Sequence, residues 1–305
     1  MEGVCVFDLD NTLGDFRSID YFGLLTDPTC LLGFPETNIS KKEIESYDIE
    51  TKEQLRILRD TFEEAVEKKK YNKHILRPKL KEILTPLVKE YKKQNILGFI
   101  IYSNNGNIYS LEYAGRLIQK IFHEPNLFLH YLERGNSRRD QYDKLDRNGY
   151  PTKTFNTIKK LVPTVHKVLF MDDIIHDDLM NESSITYIHV NPYVYNFTND
   201  DLNNLWDVFQ TTLENMENFK EKFMKLYHVT NILHIQSMED MKDKYIKYSN
   251  SLDAYAPFSE NITDIKNKIS HYLNSLNISK KKGGTRRYKT SRKKAHKKKY
   301  ENTIE

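Results

Sequence analysis

The apolar run Val4 to Phe7 stops at two carboxylates, Asp8 and Asp10, with one residue between them. A run this short and rich in β-branched residues reads as a strand buried on both faces. A carboxylate at the end of such a strand costs several kcal/mol unless it is paired, hydrogen-bonded or bound to a metal. A turn over Asp10 and Asn11, with Asp8 capping a helix, is the plain alternative. Cys5 lies inside the run and reads as a small core residue.

The same pattern recurs twice. Ile96 to Tyr102 reads as a second strand and leads into Ser103, Asn104, Asn105 and Gly106. Lys167 to Met171 reads as a fourth strand and leads into Asp172 and Asp173, with Asp177 and Asp178 just beyond. Leu127 to Tyr131 and Thr186 to Val190 are the third and fifth strands. Helical periodicity covers Thr51 to Lys70, Pro78 to Lys92, Tyr109 to Phe122 and Thr154 to Leu161. Alternating strands and helices predict an α/β fold, a Rossmann-like parallel sheet with helical cover. In such sheets ligands gather beyond the carboxyl ends of the strands, so three polar clusters belong to one site. Adjacent Asp172 and Asp173 repel each other unless a cation lies between them. Magnesium, bound by a few carboxylates, waters and a substrate phosphate, answers that repulsion. Ser103 and Asn104, with nearby backbone N–H groups, suit a phosphate.

The rest of the chain carries less chemistry. Residues 14–76 begin loop-like around Pro28, Gly33 and Pro35, and form an insertion or small cap within a core of residues 1–198. Arg134 to Tyr150 reads as a polar surface loop, either touching an acidic substrate or simply solvated. Residues 199–278 read as a helical extension. Its stripe of Leu202, Leu205, Trp206, Phe209 and Leu213 suits core packing better than a cofactor. From Ser279 the chain carries +10, which leaves −6 for the body of a protein of net charge +4. That basic tail, 279–305, is expected to be disordered. It suits nucleic-acid contact through phosphate charge, or nuclear targeting. Two cysteines make no disulfide framework, and neither a secretory leader nor a membrane span is visible. An intracellular protein, cytoplasmic or nuclear, is the expectation.

The segment Asp8, Leu9, Asp10, Asn11, Thr12 resembles the first signature of the haloacid dehalogenase superfamily, Asp-x-Asp-x-Thr after a hydrophobic strand. Ser103 resembles the second signature, and Asp172, Asp173 and Asp177 resemble the fourth. The third is a lone lysine; Lys153 has the family's spacing from Asp172, with Lys159, Lys160 and Lys144 as rivals. The resemblance runs from about Val4 to Pro192. It implies a magnesium-dependent phosphatase acting on a phosphoprotein, a nucleotide or a nucleic-acid end. Asp8 would be the nucleophile and Asp10 the general acid and base. Ser103 and Lys153 would hold the phosphate. Asp8, the backbone carbonyl of Asp10, and Asp173 would bind magnesium, with Asp172 and Asp177 orienting that shell or helping to coordinate. A protein that keeps the fold as a nucleic-acid-associated scaffold with little activity is the alternative. Arg77 and Pro78, and the stretch Phe197 to Leu205, resemble the phosphatases of the RNA polymerase II carboxy-terminal domain. Asn11, Lys79 and Asp173 depart from that subfamily, which carries Glu, Gly and Asn there. The Gly-Gly-Thr-Arg-Arg of the tail resembles tails on proteins of large DNA viruses.

Overall fold

The structure is a computed structural model that describes residues 2–27, 29–30, 42, 46–139, 143–145, 152–216, 218–229, 237–250 and 258–282. Its strands are β1 (Glu2–Phe7), β2 (Ile96–Tyr102), β3 (Phe128–Leu132), β4 (Val165–Asp172) and β5 (Ile185–His189). They form one all-parallel sheet in the order β3-β2-β1-β4-β5. The expected α/β architecture is therefore present. The chain builds outward from β1 through β2 to β3, then returns to place β4 on the other side of β1. That reversal makes the β1–β4 boundary the switch point of the sheet, where side chains at the carboxyl ends are not covered by a crossover.

Between the strands lie α1 (Arg17–Thr26), α2 (Ile49–Lys68), α3 (Asn72–Ile75), α4 (Leu80–Lys92), α5 (Ile108–Phe122), α6 (Phe155–Leu161) and α7 (Asp177–Met180). After β5 come α8 (Asn199–Glu214), α9 (Phe219–Val229), α10 (Met238–Ser249) and α11 (Ile262–Lys282). The start of α8 is written locally. Thr198 accepts from the Asp201 N–H, and the Asp201 carboxylate answers the Thr198 N–H, a reciprocal cap.

The central strands divide the core by alternation. Cys5, Phe7, Phe99, Ile101, Leu169 and Met171 face the larger helical layer, while Val4, Val6, Ile100, Val168 and Phe170 face the smaller one with Ile158 and Leu179. The extension shares the larger core. Trp206 and Phe209 of α8 and Tyr245 of α10 pack around Phe22 of α1, which stacks on Phe62 of α2 with ring centroids 3.6 Å apart. Core packing, rather than cofactor binding, accounts for the aromatic stripe.

Two expectations need correction. The loop-like stretch after Gly14 contains α1, a helix whose residues 18–26 are all buried. Its buried surface runs around the helix and takes in polar Ser18, Asp20 and Thr26, so a search for one apolar stripe does not find it. The second correction concerns the tail: α11 runs through Ser279 to Lys282, and the basic residues from 283 onward lie outside the described residues. Both cysteines, Cys5 and Cys30, are buried free thiols. Among the described residues no helix is long and apolar enough to cross a membrane.

Candidate active site

The loop after β1 is held from several sides. Asp8 still belongs to the sheet through its N–H, which donates to the Met171 carbonyl at 2.9 Å. Asn11 then turns the chain in the left-handed region, φ 58°, which asparagine tolerates better than most residues. Gly14 closes the turn, accepting from the Asn11 N–H at 2.8 Å. A Cβ there would stand 2.2 Å from the Ile75 carbonyl oxygen, so only glycine fits. Arg77, 2% exposed, clamps the loop. Its guanidinium donates to the carbonyls of Thr12, Asn11 and Asn191 and pairs with Glu260 at 2.7 Å. Five donors in a rigid fork suit this task, and a lysine could not replace them.

Lys153 stands at the centre of the site. Its Nζ donates to Asp8 Oδ1 at 2.5 Å and to Asp172 Oδ2 at 2.7 Å. Lys153 is 3% exposed and Asp172 0%, so little water screens these pairs. Burial pulls the Lys153 pKa down, but Asp172 and Asp8 outweigh it and hold the ammonium above its usual range. Burial likewise opposes ionisation of Asp172, and Lys153 and His176 overcome it, so its pKa is lowered. Of the four candidate lysines the fold selects Lys153, since Lys144, Lys159 and Lys160 are exposed.

Asp173 completes a carboxylate trio. Thr12 Oγ1 donates to Asp173 Oδ1 and accepts from the Asp173 N–H, both at 2.9 Å. Oxygens of Asp8, Asp172 and Asp173 all lie within 4.8 Å of one another, close to the ~4.2 Å across an octahedral magnesium shell. Burial, then the charges of Asp8 and Asp172, push Asp173 up to about 7. Burial also raises Asp8, against the pull of Lys153. Asp8 and Asp173 are hard oxygen donors that resist ionisation without a cation, a chemistry that fits magnesium.

The Asp10 side chain lies outside this trio and serves a different end of the site. Its Oδ2 accepts from Asn105 Nδ2 at 2.9 Å, and the same amino group is 3.0 and 2.9 Å from the two oxygens of Asp20. Asp10 Oδ1 is buried and takes no hydrogen bond among the described residues. Burial, followed by the charges of Asp20 and Asp8, raises Asp10 well above the usual carboxylate range. A carboxyl raised in this direction keeps its proton more readily, as a proton donor needs.

Ser103 and Asn104 sit at the end of β2. Ser103 is 2% exposed, and its hydroxyl helps hold down the pKa of Asp8. Arg139 braces both residues: it donates to the Ser103 carbonyl and, at 2.5 Å, to Asn104 Oδ1. It also pairs with Asp143 at 2.8 Å. The expected solvated loop is therefore corrected at these two positions. Arg139 and Asp143, four residues apart, can both be buried because each neutralises the other; Arg138 remains exposed.

Asp177 is also corrected. It is exposed in the first turn of α7 and is not among the carboxylates that meet Asp8. His176 takes the neighbouring place, its Nε2 3.3 Å from Asp172 Oδ2. Asp8, Asp173 and Lys153 open into a cavity of about 350 Å³, with Asp172 buried behind them; its lining also includes Asp15, Arg17, Asp20, Arg134 and Tyr248. Sequence reasoning gave Asp15, Arg17, Asp20 and Tyr248 no part in the site, and placed Arg134 only in a loop that could touch an acidic substrate. Arg17 and Asp20 lie in α1, in a stretch that reads as loop-like, and Tyr248 sits in α10, far along the chain.

No family model matches the chain, and no curated protein matches it.

Proposed function

We propose that this protein is a magnesium-dependent phosphomonoester hydrolase of the haloacid dehalogenase type, with Asp8 as the nucleophile. The observation that carries this reading is the Lys153 ammonium bridging Asp8 and Asp172, with Asp173 close enough to share a cation. Residues 145 and 19 positions apart meet at one point. Buried charge this dense is costly to hold, which favours a catalytic role over a scaffold.

The chemistry follows from the residues. A magnesium ion held by Asp8, Asp172 and Asp173 would neutralise the phosphate against the anionic nucleophile. The ionised Asp8 oxygen attacks phosphorus and forms an acyl phosphate while the bond to the leaving oxygen breaks. Asp10 gives its proton to that oxygen, so the alcohol leaves neutral. Asp10 then takes a proton from water as the water oxygen attacks phosphorus. The bond to Asp8 breaks, releasing inorganic phosphate and restoring the Asp8 carboxylate and the protonated Asp10. Lys153 and Ser103 oppose the charge that spreads over the non-bridging oxygens. Asn104, its acceptor end held by Arg139, takes a supporting place in the phosphate pocket. The Asp10 backbone carbonyl remains the ligand proposed for that residue.

Magnesium-dependent hydrolysis of an aryl phosphate by the full chain, compared with Asp8→Asn, tests the proposal. Loss of turnover in Asp8→Asn is expected; equal rates in the two proteins rule the reading out.

A further inference from the structure

Besides Asp8, Asp173 and Lys153, the cavity is lined around Asp10, which Asn105 joins to Asp20, and that part of the lining has a chemistry of its own. In an in-line displacement the leaving oxygen stands opposite the nucleophile, here beside Asp10. The group that departs with it must then meet the far lining of the cavity, Asp15, Arg17, Asp20, Arg134 and Tyr248.

Arg17 is oriented before any ligand arrives. Its Nε donates to Asp15 Oδ1 at 2.9 Å and its Nη2 to Asp15 Oδ2 at 2.5 Å. Asp15 is itself fixed by the Tyr195 N–H at 2.9 Å. The remaining nitrogen, Nη1, is buried and makes no hydrogen bond among the described residues. A buried guanidinium donor left without an acceptor is unfavourable, and a ligand oxygen would relieve it. Arg134 lines the same cavity, and both arginines act electrostatically on the Tyr248 phenol. Of the acids in the lining, Asp15 is committed to Arg17, and Asp10 and Asp20 share the Asn105 amino group. The volume of about 350 Å³ is that of a small-molecule site, at the lower end of the ~300–1,000 Å³ range.

We infer that the substrate is a small phosphomonoester whose leaving group carries a second anionic group, a carboxylate or a phosphate, received by Arg17 with Arg134 beside it. This inference rests on the proposed hydrolase reading, since Asp10 defines the leaving-group side. Tyr248 brings the helical extension into substrate selection, because α10 supplies one wall of the leaving-group pocket.

Titration calorimetry on the full chain with magnesium tests it, using phosphonates that cannot be hydrolysed. The probes are ethylphosphonate, α,ω-alkane bisphosphonates and ω-carboxyalkylphosphonates with two to five methylenes, and the matching ω-aminoalkylphosphonates. One of the doubly anionic series should bind at least about tenfold tighter than ethylphosphonate, and the better series identifies the anion. Arg17→Gln should bring that ratio close to one, and Arg134→Gln should lower it. Equal affinities for singly and doubly anionic probes in the unaltered protein overturn the inference while leaving the phosphate site intact. Tighter binding of the amines overturns it too. A gain that survives both arginine substitutions belongs to chelation of the metal, and also overturns it. Failure of every phosphonate to bind overturns both the inference and the hydrolase reading. The unaltered protein decides the question even if a variant fails to fold.

Discussion

The Lys153 ammonium stands 2.5 Å from an oxygen of Asp8, across 145 residues of chain. Its second contact, to Asp172 at 2.7 Å, lets one positive charge hold two carboxylates at the end of adjacent strands. Lys153→Met should lower kcat/KM for an aryl phosphate by roughly 10²–10³-fold, the scale of losing one preorganised charge at a phosphoryl site. Lys153→Arg should not restore it, because a planar fork cannot take the place of a compact ammonium between two oxygens. Steady-state kinetics at saturating magnesium gives the answer; an unchanged kcat/KM would remove Lys153 from the chemistry.

Asp10→Asn keeps the hydrogen-bonding shape beside Asn105 but loses the proton. With an aryl phosphate, whose leaving group needs little protonation, the first displacement should still run. Hydrolysis of the phosphorylated Asp8 should stall, slowing turnover by about 10²–10⁴-fold. Rapid-quench experiments should show a burst of phenol close to one per protein, with radiolabelled phosphate retained on the chain. Full turnover without a burst would contradict the role of Asp10.

Magnesium affinity should depend on pH through Asp173. Its carboxyl is raised from the ordinary Asp range to about 7, and only the ionised form is a ligand. Below pH 7 the proton and the metal compete, so affinity should fall as pH drops and level off above about 8. The sign for stability follows from the same shift. Without metal, the folded state holds a proton that the unfolded state releases above about pH 4, so Asp173 favours folding at low pH. That contribution is lost as pH rises through 7. Asp173→Asn should flatten this part of the stability profile. Calorimetric titrations in buffers of different ionisation enthalpy should show proton release on magnesium binding at pH 7, and none would argue against the raised pKa.

Lys79 precedes α4 with φ 62° and ψ 11°, a left-handed conformation that a side chain disfavours. Lys79→Gly should raise stability by roughly 0.5–1 kcal/mol, seen as a higher thermal midpoint. A lower midpoint would show that the Lys79 side chain contributes more than its backbone strain costs.

Much of the architecture was readable in the sequence because strands buried on both faces leave a strong local mark. The runs ending at Phe7, Tyr102 and Met171 are continuous and apolar, and each is followed at once by polar groups. That contrast between burial and charge pointed to Asp8, Ser103 and Asp172 without any knowledge of strand order. α1 left no such mark, being buried on every side. Arg139 was hidden for the opposite reason: it sits among charged residues that read as solvated, and only its pairing with Asp143 and the Ser103 carbonyl takes it into the interior.

The sequence alone determined which carboxylates stand at strand ends, since local hydrophobic runs dictate where strands stop. Tertiary structure decided which of them meet. Placing β4 beside β1 brought Asp172 and Asp173 to Asp8 and singled out Lys153 from its rivals. It also turned Asp10 toward Asn105 and Asp20, and carried Arg17 and Tyr248 to the same cavity. Such convergence depends on long-range packing, whose partners are separated by more chain than any local pattern spans.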